Sequence, residues 1–166
     1  MRIIFIVLLV AMSTLLSFAQ EEKEYYKNEF GAHAGFTSGV GLSYRHWFNR
    51  VGAQVTAIPI KSDNMFFGSL GLTGMYSLKR SKYVQAYLYL GNHFFTYDDT
   101  YYEYDPSTGY ETEHKQRNTQ YNIGFGPGFS FGRVVTFSLM VGYGAYDVMD
   151  RFNLLPTGEI GVYYMF

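Results

Sequence analysis

A chain of 166 residues with 14 acidic against 13 basic side chains, and no cysteine, has no charge surplus to hold nucleic acid. It also has no disulfide framework, no thiolate nucleophile and no cysteine for a lipid anchor. Gly 18, Tyr 17 and Phe 15 beside only 16% charged residues exclude a disordered or coiled-coil chain and favour one domain of many short strands joined by tight turns.

The N-terminus reads as an address. Arg2 precedes an apolar run over residues 3–12, and Ser17-Phe18-Ala19 places small residues where a signal peptidase inspects them. Residues 1–19 are therefore expected to be a signal peptide, and residues 20–28 a short charged tail. The apolar run is shorter than the ~20 residues a spanning helix needs, and Glu21 and Glu22 follow it.

From Glu29 onward the pattern has period two. The first strand, 29–37, carries Phe30, Ala32, Ala34 and Phe36 on one row and Glu29, Gly31, His33 and Gly35 on the other. Ser38-Gly39 reads as a tight turn into 40–48, and Asn49-Arg50 as the next. A third strand over 51–60 ends near Pro59, which cannot donate to a ladder and so predicts a strand end or bulge. After a loop at 61–64 come a strand at 65–78, a basic turn at 79–82 and a strand at 83–94.

Alternation of apolar residues stops from Phe95 to Arg117, where acids and tyrosines surround Pro106 and Gly109, and this stretch predicts a long loop. A strand follows at 118–130, with Pro127 predicting a local irregularity. Gly132-Arg133 turns into 134–146, and a loop at 147–153 leads to the last strand, 154–166. The count is eight.

The stretch 134–146 decides which way the barrel faces. Val135, Phe137, Leu139, Val141, Tyr143 and Ala145 form one row, while Thr136, Ser138, Met140, Gly142 and Gly144 form the other, and neither carries a charge. A row facing bulk water normally contains Lys, Glu or Asp. A row of Gly, Ser, Thr and Met suits a cramped polar interior, so the apolar row faces lipid. Outward aromatics gather at two heights, as rings at two water boundaries would: Phe30, Phe48, Tyr76, Phe129, Tyr164 and Phe166 at one end, Phe36, Phe66, Phe94, Tyr121 and Tyr143 at the other.

With these rows in place the chain, over residues 29–166, resembles the small eight-stranded outer-membrane barrels of the OmpA/OmpX type. The resemblance implies an antiparallel up-and-down transmembrane barrel in the cell outer membrane, with outer-membrane lipid around it. It also implies that the C-terminal row ending in Tyr164 and Phe166 is read by the barrel-insertion machinery during biogenesis.

An eight-stranded lumen is only wide enough for side chains, so it should be filled. The Ser38-Gly39 turn predicts Arg45 beside Gly31 and Trp47 beside Glu29. Arg45 should then pair with Glu29, Glu159 or both, because an isolated charge there is expensive. Tyr89 should lie opposite Gly124 and Tyr87 opposite Gly126. A two-residue slip is possible, because it keeps every face; a one-residue slip, which reverses every face, is not.

The functional expectation is a non-enzymatic envelope protein making external contact through the acidic tyrosine-rich stretch that includes Tyr97, Asp98, Asp99, Tyr101, Tyr102 and Tyr104. Its external partner is unidentified, and no nucleic acid, cofactor or metal is expected. The acids of this stretch lack the spacing and central glycine of a calcium loop. His33, His46, His93 and His114 show no metal-ligand spacing. A lipid-modifying enzyme is the alternative, requiring His93 beside a serine and an acid. A soluble lipocalin-like carrier would require the faces reversed.

Overall fold

The computed structural model describes residues 26–62, 65–105 and 110–166. The expected signal peptide lies outside them, as do residues 20–25 of the expected tail. Eight antiparallel strands close into one barrel in sequence order: β1 (Asn28–Gly35), β2 (Gly39–Phe48), β3 (Val51–Ser62), β4 (Met65–Arg80), β5 (Val84–Asp105), β6 (Tyr110–Gly132), β7 (Val135–Tyr146) and β8 (Asn153–Met165). Closure comes from β1 against β8, running from Glu29 opposite Met165 to Ala34 opposite Ile160. Asn28 belongs to this seam rather than to a tail. Its N–H donates to the Phe166 carbonyl at 3.2 Å, and its own carbonyl accepts from Phe166 N–H at 2.9 Å.

The rows face as the alternation requires. Leu42, Leu88, Leu90, Phe137, Leu139 and Ile160 are exposed on the outer wall, whereas Arg45, Tyr87 and Met140 are fully buried at 0%. A lipocalin-like carrier would put Leu88 and Leu139 inside; at 48% and 43% exposure they are not. The outer rings pair across strands. Phe30 lies opposite Tyr164 at the short-turn end, and Phe94 sits 4.5 Å from Tyr121 at the other.

At the short-turn end, Asn49 (φ 62°) makes the tight connection between Phe48 and Val51, a backbone that asparagine tolerates better than other side chains do. Residues 81–83 and 133–134 make the other short connections at this end. Pro59 does not end its strand: β3 continues to Ser62, with Pro59 opposite Gly68. At Gly126–Pro127 the ladder to β7 is interrupted, and it resumes in the same register at Gly128 opposite Met140. A bulge between Ser77 and Lys79 extends β4 beyond its expected end.

The expected long loop is largely strand. β5 and β6 continue as a two-stranded ribbon whose ladder runs to Asp105 opposite Tyr110. Pairing of β5 to β4 stops at Tyr97, and pairing of β6 to β7 begins at Ile123, so residues 98–105 and 110–117 pair only with each other. At ~3.3 Å per residue the ribbon stands roughly 25 Å above the wall. Threonine and tyrosine suit extended backbone, but this stretch carries no apolar row in its sequence, so alternation is a poor guide to it.

Depth in a bilayer gives a test of the outer wall. Leu139→Arg, mid-strand, should cost ~2–4 kcal/mol of folding free energy in phospholipid vesicles, and Val135→Arg near the turn only ~0–1 kcal/mol. Equal costs, measured by urea titration, would contradict the lipid-facing assignment.

Candidate functional site

The lumen holds two joined clusters. Toward the short-turn end Arg45, on β2, reaches across to the far wall: its Nε donates to Gln54 Oε1 at 2.5 Å and its Nη2 to Ser138 Oγ at 3.1 Å. Its guanidinium lies 3.8 Å from the Tyr163 ring centroid, a cation over an aromatic face. Arg45 Nη1 is 3.7 Å from Glu29 Oε2, and the other Glu29 oxygen accepts the Trp47 N–H at 2.8 Å. Tyr87 Oη lies 2.7 Å from Ser138 Oγ.

Glu159, also expected near Arg45, is engaged at the opposite end. It accepts the Thr37 N–H at 3.1 Å and the hydroxyls of Thr37 and Ser38, and its Oε2 is 3.3 Å from His33 Nε2. Tyr163 joins the two clusters, donating to Ser43 Oγ at 3.2 Å and lying 3.1 Å from His33 Nδ1.

Thr37 and Ser38 belong to the connection between β1 and β2, and both are fully buried at 0%. The expected Ser38-Gly39 turn is instead a three-residue connection, residues 36–38, between Gly35 and Gly39. It is folded down into the barrel mouth. The register accordingly slips by two: Glu29 faces Arg45, and Gly31 faces Ser43. The physical reason is Glu159, whose carboxylate draws both hydroxyls inward.

Other strands grip the same turn. The Phe36 carbonyl accepts Asn122 Nδ2 at 3.0 Å and lies 2.9 Å from His93 Nδ1, while Val40 N–H donates to Ser69 Oγ at 2.9 Å. Inward glycines make the room. A Cβ on Gly71 would strike the Ser38 carbonyl, one on Gly91 the Thr37 carbonyl, and one on Gly124 the Thr37 side chain.

The β5–β6 register also differs by two from expectation, with Tyr87 opposite Gly128 and Tyr89 opposite Gly126. Tyr87 covers Gly128, where a Cβ would collide with its ring. Gly124 serves the turn, not Tyr89. No sequence signal marks Thr37 and Ser38 as lumen residues, because a buried turn and an exposed one share the same residue types.

His93 is not solitary: its Nε2 lies 2.8 Å from Ser69 Oγ. With Nδ1–H donated to the Phe36 carbonyl, Nε2 accepts the Ser69 hydroxyl, the polarity a nucleophile–base pair requires. Yet Ser69 is 5% exposed and already accepts the Val40 N–H, so the pair closes the mouth.

On the hairpin, Arg117 binds Asp98 through both carboxylate oxygens, at 2.8 and 3.3 Å. Tyr97 lies opposite Asn118, Asp99 opposite Gln116, Tyr101 opposite His114, Tyr102 opposite Glu113 and Tyr104 opposite Glu111. Tyr164 and Phe166 stack with centroids 6.3 Å apart at the short-turn end of the closing strand. Among the described residues no group of three or more His, Asp or Glu could hold a metal.

The wall, the polar filled lumen and the apolar exterior define an eight-stranded β-barrel of the outer-membrane type. The N-terminal β-barrel domain of Pseudomonas aeruginosa OprF is similar over 84% of this chain and 95% of its own, with a TM-score of 0.51 and 14% identity. The attachment invasion locus protein Ail of Yersinia pestis, solved with the heparin analogue sucrose octasulfate, aligns over 84% and 94% with a TM-score of 0.39 and 16% identity. No protein-family model and no curated protein matches the chain.

Two tests address the lumen. Gly71→Ala should destabilise the barrel by ~1–3 kcal/mol through overpacking against the Ser38 carbonyl, while Gly158→Ala, which meets nothing within 4 Å, should stay within ~0.5 kcal/mol. Arg45→Met should cost ~3–5 kcal/mol by stranding the Glu29 charge. Adding Glu29→Gln should recover part of that loss, and strict additivity in equilibrium unfolding would show the two to be independent.

Proposed function

We propose that the protein is an integral, non-enzymatic component of the cell outer membrane that makes external contact through the β5–β6 hairpin. The observation that carries this reading is the ribbon itself. Residues 98–105 and 110–117 pair with no neighbouring strand, so both ribbon edges offer unpaired backbone groups to an incoming chain. Tyr97, Asp98, Asp99, Tyr101, Tyr102 and Tyr104 lie at its base and along it, where tyrosine supplies contact area at low entropic cost. A plugged lumen favours this surface role over transport, and a Ser69–His93 pair spent on holding the turn favours it over catalysis. The row ending in Tyr164 and Phe166 is the element proposed to engage the barrel-insertion machinery.

The chain has no cysteine, so single-cysteine labelling can test topology directly. With an impermeant maleimide on intact cells, Gln116→Cys should be labelled and Lys82→Cys should react only after the outer membrane is permeabilised. Replacing residues 99–116 with an Asn-Gly turn should leave heat-dependent gel mobility intact and reduce adhesion to the level of cells lacking the protein. Full adhesion by this variant would remove the hairpin from the function.

A further inference from the structure

At the short-turn end, opposite the hairpin, the barrel forms a half-open cavity of about 190 Å3 lined in part by Glu29, Arg80, Lys82, Gln85, Arg133 and Thr136. We propose that this cavity is an oxyanion site that takes a phosphate or carboxylate group entering from that end. It is separate from the external contact surface and does not depend on it.

Charge points to an anion. Among the described residues three cations, Arg80, Lys82 and Arg133, line the cavity with one acid, Glu29, and Arg80 has further interactions of its own. That acid is partly matched: one oxygen accepts the Trp47 indole N–H, while the other, 3.7 Å from Arg45 Nη1, has no hydrogen-bond partner among the described residues. The Arg80 guanidinium is set in place, donating to the Tyr26 carbonyl at 2.8 Å and lying 5.7 Å from the Trp47 ring centroid.

The second observation lies deeper. Gln85 and Thr136 are 5% and 4% exposed, and among the described residues Gln85 Nε2 and Thr136 Oγ1 have no hydrogen-bond partner. Buried polar atoms are ordinarily satisfied, so these two, which line one cavity beneath a cationic entrance alongside the unpartnered Glu29 Oε2, form a donor pair able to take an acceptor. An amide N–H and a hydroxyl can both donate to oxygen, while the cations supply charge-assisted bonds.

Size narrows the class. The cavity exceeds many times the ~10–15 Å3 that one water requires, yet falls short of the roughly 300–1,000 Å3 of sites that enclose drug-sized molecules. A headgroup-sized oxyanion with a few waters fits. A free anion and the headgroup of an anionic phospholipid share this chemistry.

The test uses the folded barrel in maltoside micelles, which carry no phosphate, titrated with inorganic phosphate at low ionic strength and followed by calorimetry and 31P line broadening. Saturable one-site binding is expected, weakened about tenfold by Lys82→Gln with Arg133→Gln and about as much by Gln85→Leu, given the strength of charge-assisted and buried bonds. Because Gln85 is buried, the exposed-end pair of substitutions decides the matter if Gln85→Leu fails to fold.

Phosphatidylglycerol nanodiscs then separate the sources. Persistence of phosphate binding identifies a soluble anion; its loss, with lipid 31P resonances broadened only by the unsubstituted protein, identifies a lipid headgroup. Absence of saturable phosphate binding in maltoside, together with lipid resonances unchanged by the substitutions, would overturn the proposal. So would equal affinity in all variants.

Discussion

Everything in this molecule depends on satisfying the backbone of the wall from within. Hydrocarbon offers no partner for an N–H or C=O, so a sheet in lipid must have no free edge at that depth. The β1–β8 seam supplies that condition, carried from Ala34 and Ile160 down to the reciprocal bonds between Asn28 and Phe166. Once the wall is closed, its outer row is free to be apolar. Its inner row, too narrow for a channel, must become a core built from polar groups.

That core is an unusual solvent for charge. Arg45 is held by a neutral amide, a hydroxyl, an aromatic face and a carboxylate at 3.7 Å, with no single ion pair supplying all of its needs. Glu159 is treated in the same way by hydroxyls, a backbone N–H and His33. Distributing the burden over many partners suits a buried charge, because deleting any one partner leaves the others in place. The glycines of β4, β5 and β6 complete the arrangement by leaving space for a backbone segment that a side-chain core would not accommodate.

Much of this architecture was legible in the residues. Period-two rows over residues 29–94 and 118–166 sorted inside from outside, because a one-residue error would bury Leu139 and expose Met140. The same reasoning had no grip on slips of two, which keep every face unchanged. Both register differences, at Glu29–Arg45 and Tyr87–Gly128, are of that kind. The hairpin was not legible for the converse reason: alternation shows as a row of apolar residues, and the acidic, tyrosine-rich stretch that forms the ribbon carries none. Arg45, Glu29 and Glu159 were identifiable as inward charges, but their partners followed from where a turn folds in three dimensions, which the spacing of Ser38 and Gly39 does not encode.

The inward turn links the beginning of the barrel to its end. Thr37 and Ser38 lie between the first two strands, while the carboxylate that holds them sits on the last. Before β8 docks, the turn lacks its main acceptor, and before the turn settles, Glu159 lacks its donors. The strand that zips the cylinder shut therefore also drives home the bolt across its mouth, making closure of the wall and sealing of the bore a single cooperative event.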